Sequence, residues 1–340
     1  MTDPQNTGEN TGEAAAEAPV DLSAALDTIE ELILGEAPHL NRIQVTEQAG
    51  VSLEVARELW RLLGFAEQDD DDIAFTEADV QALRYSHDLM KLGILSPERQ
   101  AALVRTWGRS FARLAEWQTR LLTEVALESD DPVEQVTSLT GEVMPRLETL
   151  QNYVWRQHLA KASRRMMTTE SLGSDVTQLA VGFVDIVGFT SQSKELTDAE
   201  LVAWIEFFEA ECSAVVNDHG GRVIKNIGDE VLFVADDPAA AAEVALVLTS
   251  RGAAEDDEFP SVRAGVAYGE VVARLGDVLG PTVNIASRLT SIARPGSVLV
   301  DDGAHEKLSA DDASPFGFRK LRRTSVKGYE RLQPWALRQG

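Results

Sequence analysis

The stretch that decides the fold reads LAVGFVDIVGFT, from Leu179 to Thr190, and a second stretch, IKNIGDEVLFV, follows from Ile224 to Val234. Each is an apolar run typical of a buried strand, and each carries one carboxylate, Asp185 in the first and Asp229 in the second. Burying an unpaired carboxylate is costly unless its pKa rises until it is neutral. Two of them in one core therefore indicate a divalent cation, with two carboxylates that only cap turns as the alternative.

The turns after these strands suit the binding of phosphate and metal. Asp185 stands at a strand end, and Phe189 and Thr190 open the next helix, where backbone N–H groups can hold phosphate oxygens. Residues 226–229 form a hairpin turn whose glycine suits a positive φ, so that Asp229 projects from the tip. If the two carboxylates meet, they match a two-Mg²⁺ site that activates a hydroxyl and neutralises a leaving pyrophosphate.

A third motif, GDVLGPTVNIASRL, runs from Gly276 to Leu289. It predicts a helix in which Asn284 and Arg288 are four residues apart and therefore lie on one face. The charge of an arginine and the hydrogen bonds of an asparagine suit the transition state of phosphoryl transfer. A surface helix without a catalytic role is the alternative for this pair.

The composition limits the partners of the chain. Its 340 residues carry a formal net charge of -25, and residues 1–150 hold 29 acidic and 11 basic side chains against 27 and 20 in residues 151–340. So acidic a chain repels polyanions, and we expect no nucleic acid partner. A single cysteine excludes an internal disulfide, and the absence of a long apolar run or a signal pattern predicts no membrane span and a cytoplasmic location.

The chain divides by its pattern into four segments. Residues 1–20 lack large apolar side chains and are predicted to be a disordered tail. Residues 21–150 show helical periodicity without alternating runs, which predicts an all-α domain. Residues 151–178 carry a basic helix that predicts a connector, and residues 179–340 mix hairpins with crossover helices. That mixture predicts an α+β domain of ferredoxin-like type.

Within the helical region, residues 45–65 have the build of a helix-turn-helix and resemble the DNA-binding end of MerR-like regulators. The second helix offers only Arg57 and Arg61 as phosphate contacts, and the acidic run Asp69–Asp72 follows it. Phosphate contacts supply most of the affinity of such modules. We therefore expect a role in protein interaction or sensing, and a DNA-binding regulator is the alternative.

The segments FVDIVGFT, KNIGDE, DVLGPTVNIASRL and VKG follow one another in the order and spacing of the class III adenylyl cyclases. Residues 179–337 therefore resemble the catalytic domain of that family. The resemblance implies conversion of ATP to 3′,5′-cyclic AMP and pyrophosphate by two-metal-ion catalysis. It also implies a homodimer, in which the metal carboxylates of one subunit work with the base-reading and transition-state residues of the other.

The resemblance gives a role to each matching residue. It makes Asp185, Asp229 and the carbonyl of Ile186 the ligands of two Mg²⁺ or Mn²⁺ ions per site. The other roles it implies are adenine reading by Lys225 and Asp277, transition-state stabilisation by Asn284 and Arg288, and binding of the terminal phosphates by Lys327.

The pair that reads the base also has a physical argument. The base-pairing edge of adenine presents an N1 acceptor beside an N6 amino donor, which suits Lys225 as the donor and Asp277 as the acceptor. Guanine presents the opposite pattern and leaves both side chains mismatched. We therefore expect ATP as the substrate, and a guanylyl cyclase is the alternative.

The helical region resembles the regulatory domain of soluble mycobacterial-type cyclases, which implies that it restrains the catalytic dimer and responds to pH. His158 lies in the basic connector, where a proton could be sensed, and an ordinary exposed histidine is the alternative. The apolar side chains of residues 77–144 suit a pocket for a small apolar ligand, although core and dimer packing explain them more economically. A proton or a small apolar molecule is thus the expected signal.

Overall fold

The structure, a computed structural model, describes residues 26–93, 96–168, 176–254, 256–310, 314–326 and 328–340. The chain separates into two compact units, Met1–Ser163 and Arg164–Gly340, which we name the N-terminal and the C-terminal unit. The predicted tail of residues 1–20 lies outside the described residues.

The N-terminal part of the chain is helical, as the sequence predicted. Its helices are α1 (Leu26–Leu34), α2 (Arg42–Ala49), α3 (Leu53–Leu63), α4 (Glu77–Lys91), α5 (Pro97–Leu127) and α6 (Pro132–Thr168). The predicted boundary between the all-α domain and the connector lies between residues 150 and 151, whereas α6 runs through that position without a break. Residues 169–175 of the predicted connector lie outside the described residues.

A small core holds α2, α3 and α4 together around Val45, Trp60 and Val80. Gly50, at φ 68°, ends α2 in the left-handed conformation and so makes the sharp turn into α3. Both arginines of α3 are paired with acids, because Arg57 contacts Asp70 at 3.3 Å and Arg61 contacts Glu58 at 2.6 Å.

The C-terminal unit is built from strands and helices in alternation, so the predicted α+β architecture is confirmed. Its strands are β1 (Val176–Ile186), β2 (Arg222–Ile227), β3 (Glu230–Ala235), β4 (Val262–Arg274), β5 (Asp277–Leu279), β6 (Val298–Val300), β7 (Phe316–Lys320), β8 (Thr324–Val326), β9 (Tyr329–Leu332) and β10 (Trp335–Gln339). Its helices are α7 (Phe189–Gln192), α8 (Asp198–Asp218), α9 (Pro238–Arg251), α10 (Pro281–Ile292) and α11 (Asp302–Leu308).

The described strands form a mixed sheet in the order β2-β3-β1-β4-β6-β10-β7, with β5 on β4 and a separate β8-β9 hairpin. Neighbours are antiparallel except for the parallel pair of β4 and β6. Because β1 lies in the middle, its side chains are buried alternately on two faces. Val184 packs in the larger core with α8, α9 and α11, and Phe183 packs in the core on the α10 side.

The observed strands differ in two respects from those that the sequence pattern indicates. The alternating pattern of the sequence by itself indicates separate strands at 262–268 and 271–274, but β4 continues through Gly269. A Cβ at Gly269 would lie 2.9 Å from Oγ1 of Thr282, so the glycine leaves room for α10 and does not break the strand. The short strands β5, β8 and β9 were not predicted, because three or four residues carry too little periodicity.

None of the helices in the described parts of the chain is long and apolar enough to cross a membrane.

Candidate active site

Asp185 lies at the end of β1 in a row of three charged residues that crosses the sheet. It pairs in register with Glu230 of β3 on one side and with Arg263 of β4 on the other. Arg263 donates from Nε to Oδ2 of Asp185 at 2.7 Å, and its Nη2 lies 2.6 Å from the same oxygen. The side chain of Asp185 is only 13% exposed, so the guanidinium is its counter-charge.

Burial and like charges raise the pKa values of the two acids in this row. The pKa of Asp185 is raised first by burial and further by the charge of Asp229, while its hydrogen bond with Arg263 opposes the rise. The pKa of Glu230 is raised to about 7, again first by burial and then by the charges of Asp185 and Asp229. The site therefore holds more negative charge than Arg263 neutralises, and it favours a cation.

The β2-β3 hairpin brings Asp229 to this row. Gly228, at φ 65°, and Asp229 form the turn between the paired residues Ile227 and Glu230. The carbonyl of Asp229 accepts a hydrogen bond from the backbone N–H of Ile186 at 3.1 Å. The three predicted metal ligands, Asp185, Ile186 and Asp229, therefore meet at one corner of the sheet.

The chemistry of these donors fits Mg²⁺ or Mn²⁺, which prefer oxygen ligands. Oδ1 of Asp185 accepts no hydrogen bond from the described residues and so remains available. Within the described ranges, no group of three His, Cys, Asp or Glu side chains is arranged to hold a metal. Two carboxylates and a carbonyl leave the remaining positions to water and phosphate oxygens, which is how proteins commonly hold Mg²⁺.

The turn after Asp185 places the ring of Phe189 against the protein and not toward open solvent. This ring stacks on Trp204 of α8, with centroids 5.5 Å apart and planes 12° from parallel, and it packs against the larger core. Thr190 is exposed. The phosphate binding predicted for this turn would therefore use the backbone N–H groups of Phe189 and Thr190 and not the aromatic ring.

Lys225 and Asp277 are 52 positions apart in the sequence and form an ion pair. Nζ of Lys225, on β2, lies 2.6 Å from Oδ2 of Asp277, at the start of β5. The second oxygen of Asp277 accepts from the backbone N–H of Val278 at 2.8 Å, which fixes the carboxylate. Both side chains are about two-fifths exposed, at 43% and 37%, so the pair is open to a ligand.

Helix α10 carries Asn284 and Arg288. Close packing on β4 holds this helix in place. A Cβ at Gly265 would lie 2.4 Å from the backbone nitrogen of Thr290, so only glycine permits this approach. Oγ1 of Thr282 donates to the carbonyl of Glu270 at 2.7 Å and fixes the start of the helix. Asn284 is exposed and Arg288 half-buried.

The structure does not join α10 to the other predicted site residues within one chain. In the described residues, neither the side chain of Asn284 nor that of Arg288 makes a hydrogen bond or ion pair with the carboxylates or with the Lys225 pair. Lys327, the predicted phosphate ligand, lies outside the described residues. The described site residues thus fall into three groups: the carboxylates, the Lys225 pair and the α10 pair.

Two charged residues of the site were missed in the sequence. Arg263 stands alone among apolar residues of β4, and a lone arginine in such a run is a signal for a buried acidic partner. The position of Glu230 beside Asp185 follows only from the register of β1 and β3.

Comparisons with known proteins agree with this geometry. Residues 174–339 match the adenylate and guanylate cyclase catalytic domain. An adenylate cyclase of Glutamicibacter nicotianae is 37% identical over 96% of this chain and 85% of its own length. One from Streptomyces coelicolor is 41% identical over 82% of this chain and 74% of its own length. A pH-sensitive adenylate cyclase of Mycobacterium tuberculosis is 31% identical over 88% of this chain and 79% of its own length.

Among solved structures, a crystal structure of an adenylyl cyclase from P. aeruginosa covers 48% of this chain and 95% of its own chain. The sequence identity is 23% and the TM-score is 0.41.

Proposed function

This chain belongs to the adenylate and guanylate cyclase family, as its motifs predicted, and from that premise we propose that it converts ATP to 3′,5′-cyclic AMP and pyrophosphate. In this reaction the 3′-oxygen of the ribose attacks the α-phosphorus, and the bond from that phosphorus to pyrophosphate breaks. The enzyme has to read the base, hold the triphosphate and stabilise the charge that develops. The three groups of site residues correspond to these three tasks.

The observation that carries the choice of ATP is the exposed ion pair of Lys225 and Asp277. It offers one donor and one acceptor side by side, 2.6 Å apart. Adenine can enter this pair with N1 accepting from Lys225 and the N6 amino group donating to Asp277. Guanine would place a donor against the lysine and an acceptor against the carboxylate, so it is selected against.

We assign the metal site to Asp185, Asp229 and the carbonyl of Ile186, which would hold two Mg²⁺ or Mn²⁺ ions. When bound, the metal supplies positive charge to the triphosphate and lowers the pKa of the 3′-hydroxyl. Asp185 can then keep Arg263 on Oδ2 and offer Oδ1 to the cation. The backbone of the turn at Phe189 and Thr190 lies next to this corner and is assigned to phosphate binding.

The positions of Asn284, which is exposed, and Arg288, which is half-buried, support a homodimer with two composite sites. Their side chains make no contact with the carboxylates of the same chain among the described residues, so a second subunit would supply one group to the other. Two apolar residues that flank Asp277, Leu275 and Leu279, are 54% and 51% exposed, as at an uncovered interface. Arg288 is assigned to the charge of the transition state, and Asn284 to the orientation of the ribose.

We further propose that the helical N-terminal part restrains the catalytic dimer and makes it respond to pH. The support is the alignment of a pH-sensitive mycobacterial cyclase over 88% of this chain. A variant without residues 1–150 should show a higher basal rate or lose its pH dependence. An unchanged rate and pH profile in a dimeric truncation would contradict this assignment.

The test of the whole proposal is the formation of cyclic AMP from ATP with Mn²⁺ between pH 5.5 and 8, with GTP assayed in parallel. Shared sites are tested by mixing Asp185→Ala chains with Asn284→Ala chains. Each variant alone should be inactive, and the mixture should recover activity through one intact site per heterodimer. If both variants dimerise and no mixture recovers activity, the site lies within one chain.

A further inference from the structure

We propose that Trp204 is a positioning residue that fixes the turn after Asp185 and so sets the affinity for the metal-bound nucleotide. This inference rests on the proposed cyclase function. Trp204 lies on α8, and its ring is stacked on that of Phe189, through which it would act on the turn.

The contacts within the turn do not by themselves fix its position. Helix α7 has four residues, which is too short to be stable by itself. The backbone N–H of Ser191 donates to the carbonyl of Gly188 at 2.9 Å, and Nε2 of Gln192 donates to the carbonyl of Val187 at 3.1 Å. Both bonds lie inside the turn and do not fix it against the rest of the unit.

Two contacts of the described residues fix the turn from outside. At its start, the backbone N–H of Val187 donates to the carbonyl of Ser261 at 2.8 Å. At Phe189 the ring lies 5.5 Å from that of Trp204, nearly parallel to it, and both rings pack against the larger core. Trp204 is therefore the aromatic partner that, together with the core beneath Phe189, would hold the phosphate-facing part of the turn near the metal carboxylates.

A small displacement here has a large effect, because a displacement of catalytic groups by about 1 Å can lower the reaction rate by a factor of about 100. Loss of the indole would let Phe189 sink toward the space that the ring occupied. The ground-state contacts with the triphosphate would weaken, whereas Lys225 and α10 would stay in place. We therefore expect KM for ATP to rise more than kcat falls.

The experiment compares Trp204→Ala and Trp204→Phe with a matched control, Trp335→Ala. Trp335 is also half-buried and stacked, with its ring 3.7 Å from that of His305, but it lies on β10. That strand is three positions from β1 in the sheet, roughly 14 Å away. Binding is measured by calorimetry with Mn²⁺ and 3′-deoxy-ATP, which cannot cyclise, and KM and kcat are measured with ATP.

Trp204→Ala should weaken binding and raise KM by about tenfold, and Trp204→Phe should restore most of both. Trp335→Ala should lower the melting temperature by a similar amount and leave KM unchanged. The double variant Trp204→Ala with Phe189→Ala should bind no worse than Phe189→Ala alone, because the tryptophan acts through that ring.

Additive losses in the double variant, or equal shifts in KM for Trp204→Ala and Trp335→Ala, would overturn the assignment. So would unchanged binding in Trp204→Ala. A wild-type chain that neither binds 3′-deoxy-ATP nor forms cyclic AMP would instead refute the proposed function. The two failures are therefore distinguishable.

Discussion

Two ion pairs of the C-terminal unit have the same separation of 2.6 Å but different surroundings. In the first, Arg263 and Asp185 are 32% and 13% exposed, and two further acids lie beside them. In the second, Lys225 and Asp277 are 43% and 37% exposed. The buried carboxylate depends on a positive charge, whereas water can replace either partner of the exposed pair.

This difference separates two kinds of recognition. At the buried pair only another cation can take the place of Arg263 without leaving a charge uncompensated. At the exposed pair a neutral ligand with one acceptor and one donor can enter at little cost. The same chemical contact therefore suits a cation where the carboxylate is buried and a neutral hydrogen-bonding ligand where the pair is exposed.

The largest effect is expected for Asp185→Asn. The change keeps the shape of the side chain and removes the charge that would bind the cation, so cyclic AMP formation should fall by about a thousandfold or more. The control is Asp236→Asn, which removes a 65% exposed acid paired with Arg222 and should leave the rate unchanged. If the activity of Asp185→Asn stayed within a factor of about ten of the wild-type value, the charge of this buried carboxylate would not be needed for the reaction.

The two ion pairs should contribute differently to the stability of the protein, because they differ in burial. Arg263→Gln leaves Asp185 without its counter-charge and should lower the free energy of unfolding by about 2 kcal/mol, a value reduced for partial exposure. Lys225→Gln should cost less than about 1 kcal/mol. Urea unfolding at neutral pH without divalent ions measures both, and equal losses would show that burial does not distinguish the pairs.

The choice of base should depend on the exposed pair alone. Lys225→Gln can still donate to N1 of adenine, but its amide oxygen can also accept from guanine, so the preference for ATP over GTP should fall by about 10- to 100-fold. The ratio of kcat/KM for the two nucleotides is the measurement. Lys307→Gln, on α11, is the control and should keep the preference of the wild-type chain.

Asp301 is a third buried carboxylate, but backbone N–H donors and not a cation lie against it. Asp301 is 9% exposed and accepts from the N–H groups of Tyr268 at 3.1 Å and Ala304 at 2.8 Å. Burial, the largest cause, raises its pKa from 3.8 to about 6. Its folded pKa lies above the unfolded one, so its contribution to stability is complete below pH 3.8 and is lost as the pH rises through about 6.

Asp301→Asn should therefore flatten this part of the stability profile and stabilise the chain at pH 7 by on the order of 1–2 kcal/mol. The amide oxygen can still accept from the two N–H groups, so the local fold is kept. Thermal unfolding between pH 4 and 8 measures the effect, with Asp236→Asn as the exposed control. A lower stability of Asp301→Asn at pH 7 would show that the ionised form is favoured by its donors.

Much of the fold could be predicted because the apolar pattern is strong where elements are long. The sequence pattern indicates helices at 53–63 and 238–251, and α3 and α9 have these bounds. Short strands such as β5 could not be predicted, since pairing with β4 and not their own pattern makes them strands. The single strand through Gly269 also depends on a neighbour, the helix that packs on it.

The candidate site, like the fold, could be predicted only in part from the sequence. The sequence by itself determined which residues are the candidates for the chemistry: two carboxylates at strand ends, a lysine and an aspartate with complementary hydrogen bonds, and an asparagine and an arginine on one helix face. Their roles remain predictions. These features are local, because the spacing along a strand or helix already fixes the direction of each side chain.

Only the tertiary structure decided what surrounds each of them. Arg263 reaches Asp185 from 78 positions away, Lys225 reaches Asp277 from 52, and Trp204 holds Phe189 through the packing of α8. Burial, counter-charge and pKa depend on neighbours that are distant in the sequence, and the register of the sheet selects those neighbours.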